Sequence, residues 1–324
     1  MQQTIVRDPV RFTSHDGTSE IHGCIWYDPA NVTPTGIVQI AHGMAEYIGR
    51  YDDFARWLVR QGFVVAGHDH IGHGNSVSSP EQWGRIPASN GKHVLIEDLH
   101  TMRSVVGGHY PSNVPYFMFG HSLGSYILRS YITTHGEGLS GAIICGTGHV
   151  EPAVSKAGVL LARAIALKDG EDSVSTLLDD MSVGGYAKAV PDARTPFDWL
   201  SHNTDNVDAY IADERCGFKF SVGAMSVVAQ ITGEVCSFKS ANRIPKSLPL
   251  LYIAGDEDPV GSQGAGVRKA CEMAQRAGVL DTELKLYRGM RHEILNETGH
   301  EAVYEDVNAW LKDHARRRPS SKHS

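Results

Sequence analysis

The stretch YFMFGHSLGSYILRSY, Tyr116 to Tyr131, changes rhythm in its middle. Its opening residues form an unbroken apolar run such as a buried strand has, and Leu123, Ile127 and Tyr131 then recur at the spacing of one helix face. Between the two halves Gly120 and Gly124 flank Ser122, two residues away on either side. A bend this sharp needs neighbours without side chains, and it lifts the serine clear of the backbone. Gly-x-Ser-x-Gly is common by chance. The strand before it and the helix after it are what raise Ser122 from a polar residue in a tight turn to a candidate nucleophile.

A serine hydroxyl is a poor nucleophile at neutral pH; it must hand its proton to a base, which a carboxylate then orients. The motif predicts the order serine, acid, histidine, each just past a strand. The strand LPLLYIAGDED, from Leu248, ends in Asp256, Glu257 and Asp258, and the next, ELKLY, leads into a loop carrying His292. The residues alone leave Asp256 and Asp258 both open.

Strand and helix patterns alternate outward from this point. Gly36 to His42 and Phe63 to Asp69 read as buried strands, with Phe54, Trp57 and Leu58 at helical spacing between them. Val94, Leu95, Leu99, Met102 and Val106 share another helical face, Gly141 to Gly148 is a further strand, and Val303, Val307 and Leu311 mark a closing helix. This alternation predicts an α/β fold, a mostly parallel central sheet with helices on both faces. From Val150 to about Arg243 only helical patterns occur, as in an insertion. The expected division is a core over 1–149, a helical cap over 150–246, the rest of the core over 247–314 and a flexible basic tail over 315–324.

The cap stretch Val159 to Leu167 is apolar almost all round. It reads as an acyl-lined lid over the nucleophile or as the cap's own core, with a transient membrane or micelle contact as a lesser alternative. Phe218, Phe220, Val222, Met225, Val228 and Ile231 either line the same tunnel or pack as ordinary core.

A net charge of -7 argues against a nucleic-acid partner, which needs clustered lysine and arginine. The five cysteines are odd in number and never in a Cys-x-x-Cys pair, which fits free thiols in a reducing compartment. The start, MQQTIVRDPVRF, has neither a basic n-region nor an apolar h-region, and the expected location is the cytoplasm. His68, Asp69, His70 and His73 invite a metal reading, but their spacing is not that of zinc hydrolases; they are expected to pin a loop, with no metal and no cofactor.

Five segments in order carry a resemblance: AHGMAEYIGRYDDFARWL, AGHDHIGHGNS, GHSLGS, GDED and RGMRHEILNE. Together they resemble the α/β-hydrolase superfamily and, within it, the monoacylglycerol lipase and lysophospholipase group. The resemblance implies a serine hydrolase cleaving carboxylic esters, monoacylglycerols or lysophospholipids, with a small-molecule esterase or an amidase or aminopeptidase as the alternative. It implies Asp258 as the acid, with Asp256 as fallback, and an oxyanion hole from the backbone amides of Met44 and Leu123. Met44 and Ala45 depart from the family pattern, which has a small residue and a glycine there. The resemblance also implies that Glu46 and Arg50 contact a glycerol head group; the other reading is an ion pair that fixes the loop.

Overall fold

A computed structural model describes residues 4–317. Eight strands form one sheet in the order β1-β2-β4-β3-β5-β6-β7-β8. These are β1 (Val6–Thr13), β2 (Glu20–Tyr27), β3 (Gly36–Ala41), β4 (Phe63–His68), β5 (Tyr116–His121), β6 (Gly141–Cys145), β7 (Leu250–Gly255) and β8 (Thr282–Tyr287). Strands β3 to β8 run parallel to one another, and each of β3 to β7 is buried along its whole length. Burial on both faces is why these strands are continuously apolar. Edge strand β8 instead alternates between exposed and covered residues.

The first two strands were not legible in the sequence. β1 carries Pro9 and exposes most of its side chains, so it lacks a core-strand pattern. It pairs antiparallel with β2, which pairs antiparallel with β4, so this edge of the sheet is the exception to parallel order.

Helices α1 (Asp52–Arg60) and α11 (Glu301–Arg316) cover one face through Phe54, Leu58, Val303, Val307 and Leu311. Helices α2 (Gly91–Gly107), α3 (Leu123–His135) and α10 (Ala265–Arg276) cover the other, where Val94, Leu99, Met102, Ile127, Tyr131 and Val267 share one core. Helix α11 runs to Arg316, past the point where a flexible tail was expected, because His314 is buried and bonded to the Trp310 carbonyl. The remainder of that expected tail, from 318 on, lies outside the described residues.

Six helices lie between β6 and β7: α4 (Pro152–Asp169), α5 (Thr176–Met181), α6 (Val183–Ala187), α7 (Thr204–Ala212), α8 (Val222–Val235) and α9 (Phe238–Ala241). Helix α8 packs along α4 and reaches α2 and α3 with Ala224, Val227 and Ile231 in the main core, joined there by Phe220 just before the helix. Helix α4 buries Ala162 yet leaves Val154, Leu160 and Leu167 exposed, so its apolar circumference is only partly used inside the protein. Among the described residues, no helix is long and apolar enough to cross a membrane.

Candidate active site

Because β5, β6, β7 and β8 are neighbours, the loops that leave their carboxyl ends meet at one edge of the sheet. Ser122 stands where β5 turns into α3, with φ 52° and ψ -121°, and its N–H is tied to the Cys145 carbonyl at 3.0 Å. A side chain in this backbone region is strained by roughly 1–3 kcal/mol. The flanking glycines make the turn sterically feasible. A Cβ on Gly120 would lie 2.5 Å from the Gly124 carbonyl oxygen, and one on Gly124 would lie 2.0 Å from that of Ala41.

Asp258 follows β7 and His292 follows β8. His292 Nδ1 donates to Asp258 Oδ2 at 3.0 Å, and both side chains are buried. That bond assigns the imidazole proton to Nδ1 and leaves Nε2 as the acceptor. Asp256 instead accepts from the Gly289 amide at an exposed position, so it is not the partner of His292. The His292 ring lies against the ring of His121, the residue before the serine, with centroids 4.7 Å apart. His292 Nε2 is buried without a hydrogen-bond partner, and the Ser122 hydroxyl makes no bond to it in this structure.

The amides of Met44 and Leu123 donate to no other described group. Leu123 is the first residue of α3, where an unpaired N–H and the helix dipole both favour negative charge. Ala45 has φ 51°, a left-handed conformation that glycine enters without cost. The helical insertion holds it there: the Ala45 carbonyl accepts from Gly217 N–H and from the Tyr210 hydroxyl.

Behind the nucleophile lies a buried charge network. Arg50 bonds Glu46 at 2.8 Å and clasps both oxygens of Glu293 at 2.6 and 2.7 Å. Glu46 also accepts from the Gly43 amide and the Tyr51 hydroxyl, and it faces His121 Nδ1 at 3.4 Å. Burial alone would raise the Glu46 pKa, but the His121 hydrogen bond and the Arg50 charge outweigh it and bring it down to about 2. Burial lowers the His121 pKa, and Glu46 reverses that to a net rise. So Glu46 and Arg50 form an ion pair that braces the loop, and a small cavity beside it is lined by Glu46, Arg50, Tyr51, His121, Glu293 and Asn296.

Several of these residues were not singled out in the sequence. His121 sits inside the Gly-x-Ser-x-Gly motif and Glu293 directly follows His292, so adjacency to the nucleophile and base was the available signal. Trp199 carried none. It comes from the insertion and lays its ring 5.1 Å from that of His292. The same segment is bonded to the histidine loop: Glu293 N–H donates to the Leu200 carbonyl at 2.7 Å, and Glu297 accepts from the amides of His202, Asn203 and Arg291.

His68, His70 and His73 are fully buried and pack edge to face, with His42 tilted against His70 and His73. Asp69 bonds the amides of Ile48 and Asn75, so these residues pin the loop beside the site. Their ligand atoms do not converge; among the described residues only Asp281, Glu283 and His314 do, and Arg317 pairs with that aspartate.

A serine on a strained corner between a parallel strand and a helix, with an Asp–His pair at the same sheet edge, defines the α/β-hydrolase class. A family model described as serine aminopeptidase, S33, matches residues 32–299, and the chain belongs to that family. It is 28% identical to a monoacylglycerol lipase of Mycolicibacterium smegmatis over 87% of this chain and 89% of that one. It is 27% identical to the human monoglyceride lipase over 89% of this chain and 86% of that one. A solved carboxyl esterase from Bacillus coagulans, in complex with glycerol, superposes with a TM-score of 0.88 at 31% identity, covering 96% of this chain and all of that one. The chain is a serine ester hydrolase of the monoacylglycerol lipase type.

Proposed function

We propose that Ser122, His292 and Asp258 are the nucleophile, base and orienting acid of an enzyme that releases fatty acid from monoacylglycerols or lysophospholipids. The bond between Asp258 and His292 carries this reading, because it leaves Nε2 as an unengaged acceptor at the sheet edge from which Ser122 projects. Catalytic hydrogen bonds are commonly long or unmade before substrate binds, and this mechanism requires the serine hydroxyl to reach that nitrogen in the substrate complex. Ser122 Oγ then attacks the ester carbonyl as His292 takes its proton. The proton returns to the leaving alcohol, and a water activated by the same imidazole releases the acid. The amides of Met44 and Leu123 bind the oxyanion, each contributing about 3 kcal/mol in the transition state.

The segment 150–246 acts as the cap. Trp199 closes over the base, and the exposed side of α4 is the face from which a lipid would approach. Glu46 and Arg50 border the head group, a role that requires substrate hydroxyls to share atoms now used by Tyr51, Gly43 and Glu293. An aminopeptidase would need free cap carboxylates for the substrate amine. Asp179 is paired with Lys219 at 3.0 Å and its neighbour Asp180 is exposed, so the ester reading is supported by the ester-hydrolysing relatives and not by these carboxylates.

Fluorophosphonate labelling together with a hydrolysis panel tests the proposal. Labelling is expected at Ser122 and absent in Ser122→Ala, with glycerol esters or lysophospholipids cleaved faster than aminoacyl amides. An unlabelled parent, or faster amide cleavage, would overturn it.

A further inference from the structure

His42 opens the loop that carries Met44, and its ring is fully buried. Two hydrogen bonds determine its protonation without any choice of tautomer. The amide of His70 donates to Nε2 at 2.9 Å, so Nε2 carries no proton. The proton is therefore on Nδ1, which lies 2.8 Å from the carbonyl oxygen of Gly43 and donates to it. Burial, and then the neighbouring His73, push the His42 pKa well below its ordinary value, so the ring stays neutral.

The Gly43 carbonyl and the Met44 amide belong to one planar trans peptide and point in opposite directions. Whatever holds that carbonyl also aims that amide. Charge drawn toward a hydrogen-bonded carbonyl oxygen makes the N–H of the same peptide a stronger donor. On its other side, the Gly43 amide is held by Glu46, so both peptide planes flanking Gly43 are fastened by buried side chains. The loop is close to the nucleophile: a Cβ built on Gly43 would lie 3.1 Å from the Cβ of Ser122.

We infer that His42 is a positioning residue that orients and polarises the Met44 amide as an oxyanion donor, with the His70 backbone holding the imidazole in the required tautomer. This rests on the reading of Ser122 as nucleophile and Met44 as oxyanion donor. A histidine kept only to fill space would need neither directed bond. Among the buried rings beside it, both nitrogens of His68 lack partners, and His70 and His73 each bond one backbone carbonyl and leave the other nitrogen unpartnered, so His42 alone of the four is bonded at both nitrogens.

Three variants of the full chain test the inference: His42→Leu, His42→Asn and His42→Gln. Asparagine offers an amide nitrogen near the position of Nδ1, whereas glutamine offers one near Nε2. His42→Leu is expected to lower kcat on a soluble acyl ester by about 10- to 100-fold, short of the loss from deleting a donor outright, with KM little changed. Its affinity for a trifluoromethyl ketone, which forms a tetrahedral adduct with the serine, should fall in the same proportion. His42→Asn should recover most of both and His42→Gln should not; this comparison decides the matter even if the leucine variant fails to fold. Equal activity in the asparagine and glutamine variants, or ketone affinity that does not follow kcat, would overturn the inference while leaving Ser122 as nucleophile intact. A parent protein unreactive toward fluorophosphonate at Ser122 would remove the reading beneath it as well.

Discussion

Asp258 Oδ2 accepts the Nδ1 proton of His292, with 3.0 Å between the two heavy atoms, and both side chains are buried. Removing the acceptor leaves the imidazole free to adopt the wrong tautomer. Asp258→Asn is therefore expected to lower kcat by about 10³- to 10⁴-fold with a modest change in KM. Asp256→Asn, on the exposed bond to Gly289, should stay within a few fold of the parent. Steady-state kinetics of the two variants check this, and the reverse ranking would sink the assignment.

Arg50 lies between Glu46 and Glu293, with all three side chains nearly sealed from solvent. Deleting the cation strands two buried carboxylates, and breaking a buried pair in this way typically costs about 3–5 kcal/mol. Arg50→Ala should show that loss in urea unfolding. Glu46→Gln separates the two roles of the carboxylate. A larger loss on a glycerol ester than on the methyl ester of the same acid supports head-group contact, whereas equal losses mean that the pair only braces the loop.

The buried histidines make the protein sensitive to acid. Burial brings the pKa of His68 down to about 3 and that of His73 to about 4. Above about pH 6.5 these rings are neutral in both the folded and unfolded chains, and their contribution is complete. As pH falls below that, the unfolded chain takes up protons that the folded one refuses, and stability is lost down to the folded pKa values. At pH 5 this amounts to roughly 2 kcal/mol per histidine. Thermal melts at pH 7.5 and pH 5 should differ accordingly. His68→Leu should be at least as stable as the parent at pH 7.5, because the ring it replaces satisfies no hydrogen bond. Its melting temperature should also fall less on acidification; parallel curves for the two proteins would contradict this.

Glu297 joins the insertion to the histidine loop by accepting from His202, Asn203 and Arg291. Glu297→Ala should loosen that joint. Hydrogen exchange followed by mass spectrometry is expected to speed up over residues 198–206 and to change little in β5 and β6, with a lower kcat. Unchanged exchange in the segment would show that the packing of Trp199 and Leu200 alone holds it.

Most of the sheet could be read locally. The apolar runs of β3 to β7 and the helical stripes of α1, α2, α3 and α11 are properties of short windows, and the structure buries those residues. The antiparallel strands β1 and β2 could not be read, since an exposed edge strand with a proline needs no core pattern. Within the site, Ser122 was legible because the turn that presents it demands glycines at fixed positions. The choice between Asp256 and Asp258 rested on resemblance until the fold brought one of them against His292.

By itself, the order of residues determined an α/β chain with a sharp serine turn and an acid and a histidine after later strands. These are consequences of side-chain volume and backbone conformation over a few residues. Tertiary structure alone decided that Arg50 meets Glu293, that Trp199 covers His292, and that the ring of His42 holds the peptide leading to Met44. The first two join positions far apart in the chain, and all three depend on burial, which makes the bonds of Arg50 and His42 worth more than bonds to water and seats the Trp199 ring against His292. No local pattern encodes that, because it exists only once the sheet, the loops and the insertion have closed around the same point.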